Sequence, residues 1–182
     1  MDARARIHAL FGSRAKPAEE SLDFEALYQQ ELPRVYNFFR FRVGDSGLAE
    51  DLTAETFEKA WRSRDRYRKD LAAFSTWLFT IARRVLIDAM RKKHRVVSLD
   101  ALADLPANEN TENGFYQRAD FARLSILLSQ LADRDRELVA LRYGAGLTNR
   151  AIAHLTGLSE SNVGVLLHRA IQKLRSEWEN QA

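Results

Sequence analysis

The side chains best suited to chemistry in this chain are carboxylates, guanidiniums and amines rather than nucleophiles or metal ligands. There is no cysteine, which removes thiolate nucleophiles, disulfides and cysteine zinc sites. The four histidines, His8, His94, His154 and His168, are scattered without metal-ligand spacing. Asp51 and Glu55 stand one helical turn apart, yet no histidine or nucleophile accompanies them and no glycine-rich phosphate loop occurs. An enzyme, a cofactor, a metal or a small-molecule substrate is therefore not expected, and no residue is assigned a catalytic role.

The charges are segregated instead. Asp45, Glu50, Asp51, Glu55 and Glu58 share a stretch with Lys59 alone; Arg62, Arg64, Arg66, Arg68 and Lys69 follow at once around Tyr67, with only Asp65 against them. Arg83, Arg84, Arg91, Lys92, Lys93 and Arg95 crowd a second basic stretch, and Ser98 to Asp120 then turns acidic. With 28 Lys and Arg against 25 Asp and Glu the formal charge is only +3, so the signal lies in the blocks. A single block reads as a solvated helix face, whereas several basic blocks beside aromatic rings read as a polyanion footprint. Cations would meet phosphates and exposed rings would stack on bases. Tyr67 and Phe79 are the rings expected to be exposed, and Trp77 is expected in the core.

These groups must be positioned by helices. The chain of 182 residues has eight Gly and three Pro, too few turn formers for a many-stranded fold, and no convincing strand alternation. Phe24, Leu27, Tyr28, Leu32, Val35, Phe38, Phe39 and Arg42 recur at helical spacing, interrupted only by Pro33. A turn at Gly44–Gly47 leads to a helix at about Ala49 to Arg64, with Leu52, Phe57, Ala60 and Trp61 inward. The most apolar helix spans about Phe74 to Lys93 and places Thr80, Arg83, Arg84 and Arg91 opposite its apolar stripe. Periodicity fails from Val96 to Gln117, the expected acidic linker. It resumes near Arg118, and Asp133 is the expected cap of the next helix. Residues 1–20 are expected to form a mobile tail. The apolar runs are too short for a membrane span, so a cytoplasmic location is expected. The fold class is all-α: two small helical domains, 21–95 and 118–178, joined by a linker at 96–117.

The sharpest local pattern is at the end. Thr148 caps a short helix carrying Ala151 and Ile152, Gly157 permits the left-handed turn, and Ser159 caps a long helix from Glu160. This is helix-turn-helix spacing, at 148–175. Val163, Leu167, Ala170 and Leu174 form its buried stripe. Ser161, Val165, His168, Arg169 and Gln172 lie opposite, with Gly164 and Arg175 beside them, on the face that would enter a major groove.

Ala49 to Trp61, Phe74 to Arg83, Ile87-Asp88 with the basic run after it, and Leu147 to Arg175 together resemble bacterial sigma factors of the extracytoplasmic-function type. The resemblance covers about residues 24 to 178. It implies that Asp51, Glu55, Phe57 and Trp61 dock on core RNA polymerase. It implies that Arg64, Arg66, Tyr67, Arg68, Lys69, Phe79, Arg83, Arg84, Arg91 and Lys92 meet the opened promoter. It also implies that Thr148, Ser161, Asn162, Gly164, Val165, His168, Arg169, Gln172 and Lys173 read duplex promoter DNA. An anti-sigma factor is the further implied partner. The chain departs from many relatives at Arg84, where they carry Asn, and at Gly164 and Leu166, where they are commonly basic. Fewer cations imply weaker stand-alone DNA binding by the second domain. A dimeric helix-turn-helix repressor and a protein-only adaptor are the alternatives; the first does not need polymerase to bind its operator, and the second leaves the basic loop without a use.

Overall fold

A computed structural model describes residues 23–97 and 113–180. The expected tail lies outside the described residues, as does most of the expected linker, whose ends are helical. Seven α-helices are seen among the described residues. α1 (Phe24–Val43), α2 (Ser46–Arg62) and α3 (Phe74–Val97) form the first half. α4 (Asn113–Ser129), α5 (Asp133–Val139), α6 (Asn149–Thr156) and α7 (Glu160–Asn180) form the second. A π-helical turn, Ala140–Gly144, extends α5.

α1 runs through Pro33 without a break. A mid-helix proline costs about 3 kcal/mol, but burying a large apolar side chain returns about 1.5–3 kcal/mol. Val35, Phe38 and Phe39 are fully buried just beyond Pro33, so tertiary packing decides. The Arg40 carbonyl accepts the Gly44 amide at 2.9 Å. Gly44 is left-handed at φ 75°, and the Asp45 carboxylate accepts the Leu48 amide at 2.6 Å, starting α2. The helix thus begins earlier than its apolar pattern does.

Asp133 does not cap α5. Ala132 holds the cap position with no side-chain bond, and the Asp133 carboxylate instead accepts from Arg42 at 2.9 Å. That pair belongs to a broad contact between the halves. Buried side chains of α1 (Val35, Phe38, Phe39), α3 (Leu78, Phe79) and the second half (Ala140, Leu141, Ala145) lie in one continuous core. Gly144 sits so close to α1 that a Cβ there would be 2.9 Å from the Asn37 carbonyl oxygen. Arg34 Nε donates to the Ala145 carbonyl at 2.7 Å, and the Phe41 and Phe121 rings meet at 5.9 Å.

Candidate nucleic-acid and docking surfaces

The loop between α2 and α3 is braced from within. A short 3-10 turn, Arg64–Arg66, opens it. The Tyr67 ring lies 5.5 Å from Phe74 and 5.2 Å from Trp77, and its hydroxyl donates to the Ala72 carbonyl at 3.1 Å. Partial burial raises the Tyr67 pKa above the ordinary phenol value, which keeps that donor protonated. Arg68 and Asp70 pair at 2.9 Å; the hydrogen bond raises the arginine and lowers the carboxylate relative to their ordinary values. Arg64 stacks over Trp61 at 4.2 Å. Arg66, Arg68 and Lys69 are exposed, and Leu71 at the loop tip is 73% exposed. Sequence periodicity missed Leu71, although an apolar residue inside a cationic, helix-free stretch was there to be seen. Cations around a projecting apolar side chain can hold phosphates while the leucine contacts a base face.

Three aromatic expectations are corrected. Phe79 is fully buried, its ring 5.7 Å from Phe38 in an edge-to-face contact, so it cannot stack on a base. Trp77, expected in the core, is only half-buried, as is Tyr67. The signal was available: Phe79, Ala82 and Leu86 recur at three and four residues, on the stripe that packs inward.

On α2, Asp51 is exposed. Glu55 is ion-paired to Lys59 at 2.8 Å, and Lys59 approaches Asp88 at 3.9 Å. Phe57 is buried against Tyr28, ring centroids 4.7 Å apart, so it holds the helix in place and presents nothing outward. Trp61 is half-buried, packed edge-on to Phe24 at 5.1 Å. Glu55, Lys59, Asp88, Arg91 and Lys92 line an open depression of about 260 Å³ between α2 and α3. Arg84 is exposed. Arg83 points elsewhere: it pairs with Glu137 at 2.8 Å and donates to the Leu155 carbonyl, across to the second half.

The helix-turn-helix forms as its caps require. The Thr148 hydroxyl accepts the Ala151 amide at 3.2 Å, Gly157 ends α6 at φ 74°, and the Ser159 hydroxyl accepts the Asn162 amide at 3.2 Å. On α7, Val163, Leu167, Ala170 and Leu174 are buried. Ser161, Asn162, Val165, His168, Arg169, Gln172 and Lys173 are exposed, as is Thr148, and Gly164 is intermediate. A face of polar donors, cations and one exposed valine can bond base edges and phosphates and meet a thymine methyl. Arg123 tethers the far end of α7 by stacking on Trp178 at 4.1 Å and donating to its carbonyl.

No helix among the described residues is long and apolar enough to cross a membrane. Among them, no group of three or more His, Asp or Glu is placed to hold a metal ion.

The family model for Sigma-70 region 2 matches residues 27–96, and that for Sigma-70, region 4 matches residues 127–176. The chain is 31% identical over 157 residues to the ECF RNA polymerase sigma factor SigM of Bacillus subtilis, covering 85% of this chain and 94% of that protein. It is 31% identical over 160 residues to the ECF RNA polymerase sigma factor BldN of Streptomyces coelicolor, covering 86% of this chain but only 61% of the longer relative. Its fold resembles that of the sigma factor RpoE of Bartonella quintana, solved in complex with the anti-sigma factor NepR. The TM-score is 0.68 at 24% identity, over 86% of this chain and 97% of that one.

Proposed function

We propose that this chain, which belongs to the ECF family of RNA polymerase sigma factors, divides its work in transcription initiation between the surfaces described above. As an alternative sigma factor it joins core RNA polymerase and directs the enzyme to promoters. The domain division we propose is a first module at 21–95 and a second at 118–178. In our reading the exposed side of α2, with Asp51 foremost and Glu55 beside it, docks on a basic surface of the polymerase. Carboxylates one turn apart suit an arginine-rich partner through charge-assisted hydrogen bonds. The braced loop from Arg64 to Lys69, with Leu71 at its tip and Arg84, Arg91 and Lys92 on α3, holds the opened strand. α7 reads the duplex. The protein itself performs no bond chemistry, works in the cytoplasm, and is held in check by an anti-sigma protein.

The observation that carries this reading is α7: a buried apolar stripe fixes its orientation, while Ser161, Asn162, Val165, His168, Arg169 and Gln172 stand exposed. The test is reconstitution with core polymerase and footprinting of the promoters transcribed, in wild type and Arg169→Ala. Loss of one phosphate or base contact lowers affinity by about 1–3 kcal/mol or flattens the salt slope by about one unit. Identical footprints and salt dependence would reject Arg169 as a DNA contact, and failure to bind core polymerase would reject the docking role of α2.

A further inference from the structure

We propose that Lys59 serves both surfaces of the first half in turn. In the free chain it is held by the docking carboxylate Glu55; once Glu55 engages the polymerase, Lys59 becomes a further phosphate contact for the opened strand. This rests on the reading of α2 as the docking helix and of Arg91 and Lys92 as strand contacts.

Lys59 stands where the two surfaces meet. Its ammonium lies 2.8 Å from a Glu55 oxygen, one turn back on α2, and 3.9 Å from an Asp88 oxygen on α3. Glu55 is half-buried, while Lys59 and Asp88 are exposed. With Arg91 and Lys92 these three line the open depression between the helices. Three cations against two carboxylates leave the depression a formal excess of one positive charge, and withdrawing Glu55 raises that excess to two. The neighbouring pair on α2, Glu58 with Arg62 at 2.6 Å, lies outside the depression.

The exchange follows from the chemistry of the pair. An ion pair between partly exposed side chains shifts an equilibrium by no more than about fivefold. Lysine offers Glu55 a point charge, whereas an arginine on a partner grips a carboxylate through two parallel N–H bonds. An arginine-rich docking surface therefore takes Glu55 from Lys59. At 3.9 Å Asp88 is too distant for a hydrogen bond, yet near enough to keep the released ammonium over α3, beside Arg91 and Lys92. There it meets a phosphate, and each such contact with a single strand steepens the salt dependence of binding by about 0.7. Docking and strand holding then strengthen one another, because coupling between two ligands is reciprocal.

The test uses four full-length chains: wild type, Glu55→Gln, Lys59→Gln and the double variant. Without polymerase, each is titrated against a fluorescent single-stranded oligonucleotide of mixed sequence, followed by anisotropy at stepped salt. Glu55→Gln should bind about two- to fivefold more tightly than wild type, with a salt slope steeper by about 0.7. Lys59→Gln should keep the wild-type slope, and the double variant should return to it, because the gain runs through the lysine. Glu58→Gln, the same charge change outside the depression, should leave the slope unchanged. Each chain is then titrated with core polymerase in the absence of DNA. Lys59→Gln should bind core about two- to fivefold more tightly than wild type, since Glu55 no longer has to leave a partner. Added to Glu55→Gln, the same change should have no effect. A steeper slope that survives in the double variant is general charge relief and overturns the shared role of Lys59, as does a Lys59→Gln chain that binds core no better than wild type. If wild type fails to bind core, the docking reading falls; if no chain binds the oligonucleotide, the strand-holding reading falls; the shared role falls with either. Both bindings intact, with equal slopes in all four chains, overturn the shared role alone.

Discussion

Gly144→Ala is a one-carbon probe of the contact between the halves. The added Cβ would sit 2.9 Å from the Asn37 carbonyl oxygen and 3.1 Å from both the Asn37 carbonyl carbon and the Phe38 nitrogen. Comfortable separations are about 3.5–4.0 Å, so α1 and the π turn must part by about half an ångström. The obstacles are backbone atoms inside a helix and cannot swing aside. Overpacking of this kind costs about 1–3 kcal/mol. Gly144 does not have a positive φ, so alanine also stiffens the unfolded chain and returns about 0.4–1 kcal/mol. The expected net loss is about 1–2 kcal/mol, or a fall in Tm of about 3–6 °C for a chain of this size. Gly164→Ala supplies the reference: its Cβ would find only the Asn149 side chain at 3.6 Å, and inside α7 it should gain about 1 kcal/mol. Thermal and urea unfolding of both variants, followed by circular dichroism, separate the cases. If Gly144→Ala proves as stable as Gly164→Ala, the close approach of α1 and the π turn does not exist in solution.

Two further expectations follow from burial. Glu31 is 3% exposed; burial raises its carboxyl pKa, only partly countered by Arg34 at 2.8 Å. The native chain therefore holds this proton more tightly than the unfolded chain, and Glu31's contribution to stability falls as pH rises from the ordinary glutamate value through the raised one. Glu31→Gln should thus gain on wild type across that interval and keep a constant advantage near neutrality, measured by urea unfolding at stepped pH; an advantage that shrinks as pH rises would contradict the sign. Phe79→Ala should cost about 3–5 kcal/mol, the range for a buried phenylalanine, in chemical denaturation. A cost below about 1 kcal/mol would return Phe79 to the surface, where its aromatic type first suggested a role.

The parts legible in the sequence were those settled within a few residues. Thr148, Gly157 and Ser159 act on amides and turns next to them, so the helix-turn-helix could be read from spacing alone. The stripe on α7 was equally local. Arg42 fell on the apolar stripe of α1 and is buried there, but its partner Asp133 stands 91 residues away, and nothing near Asp133 announced that it would leave the cap position. Arg83 was expected on the outward face with Arg84 and Arg91, but it is partly buried and paired with Glu137; that the second half would cover it depends on tertiary packing, as does the burial of Phe79 against Phe38. Asp51 was legible as exposed and Phe57 as inward from periodicity, and Phe57 is indeed buried against Tyr28; only the resemblance had added it to the docking residues, because a helix that docks and a helix that packs share one apolar side.

The loop between α2 and α3 has one more consequence. Arg64 lies over an indole, Arg68 is bound to Asp70, and Tyr67 bolts the loop to Ala72. Much of its conformational freedom is surrendered when the protein folds, before any nucleic acid arrives. Its grip on DNA should accordingly depend less on ionic strength than its roster of basic residues suggests, since a cation already balanced by its own carboxylate displaces fewer counterions. Such a loop discriminates by fit as well as by charge, with Arg66 and Lys69 exposed to meet phosphates.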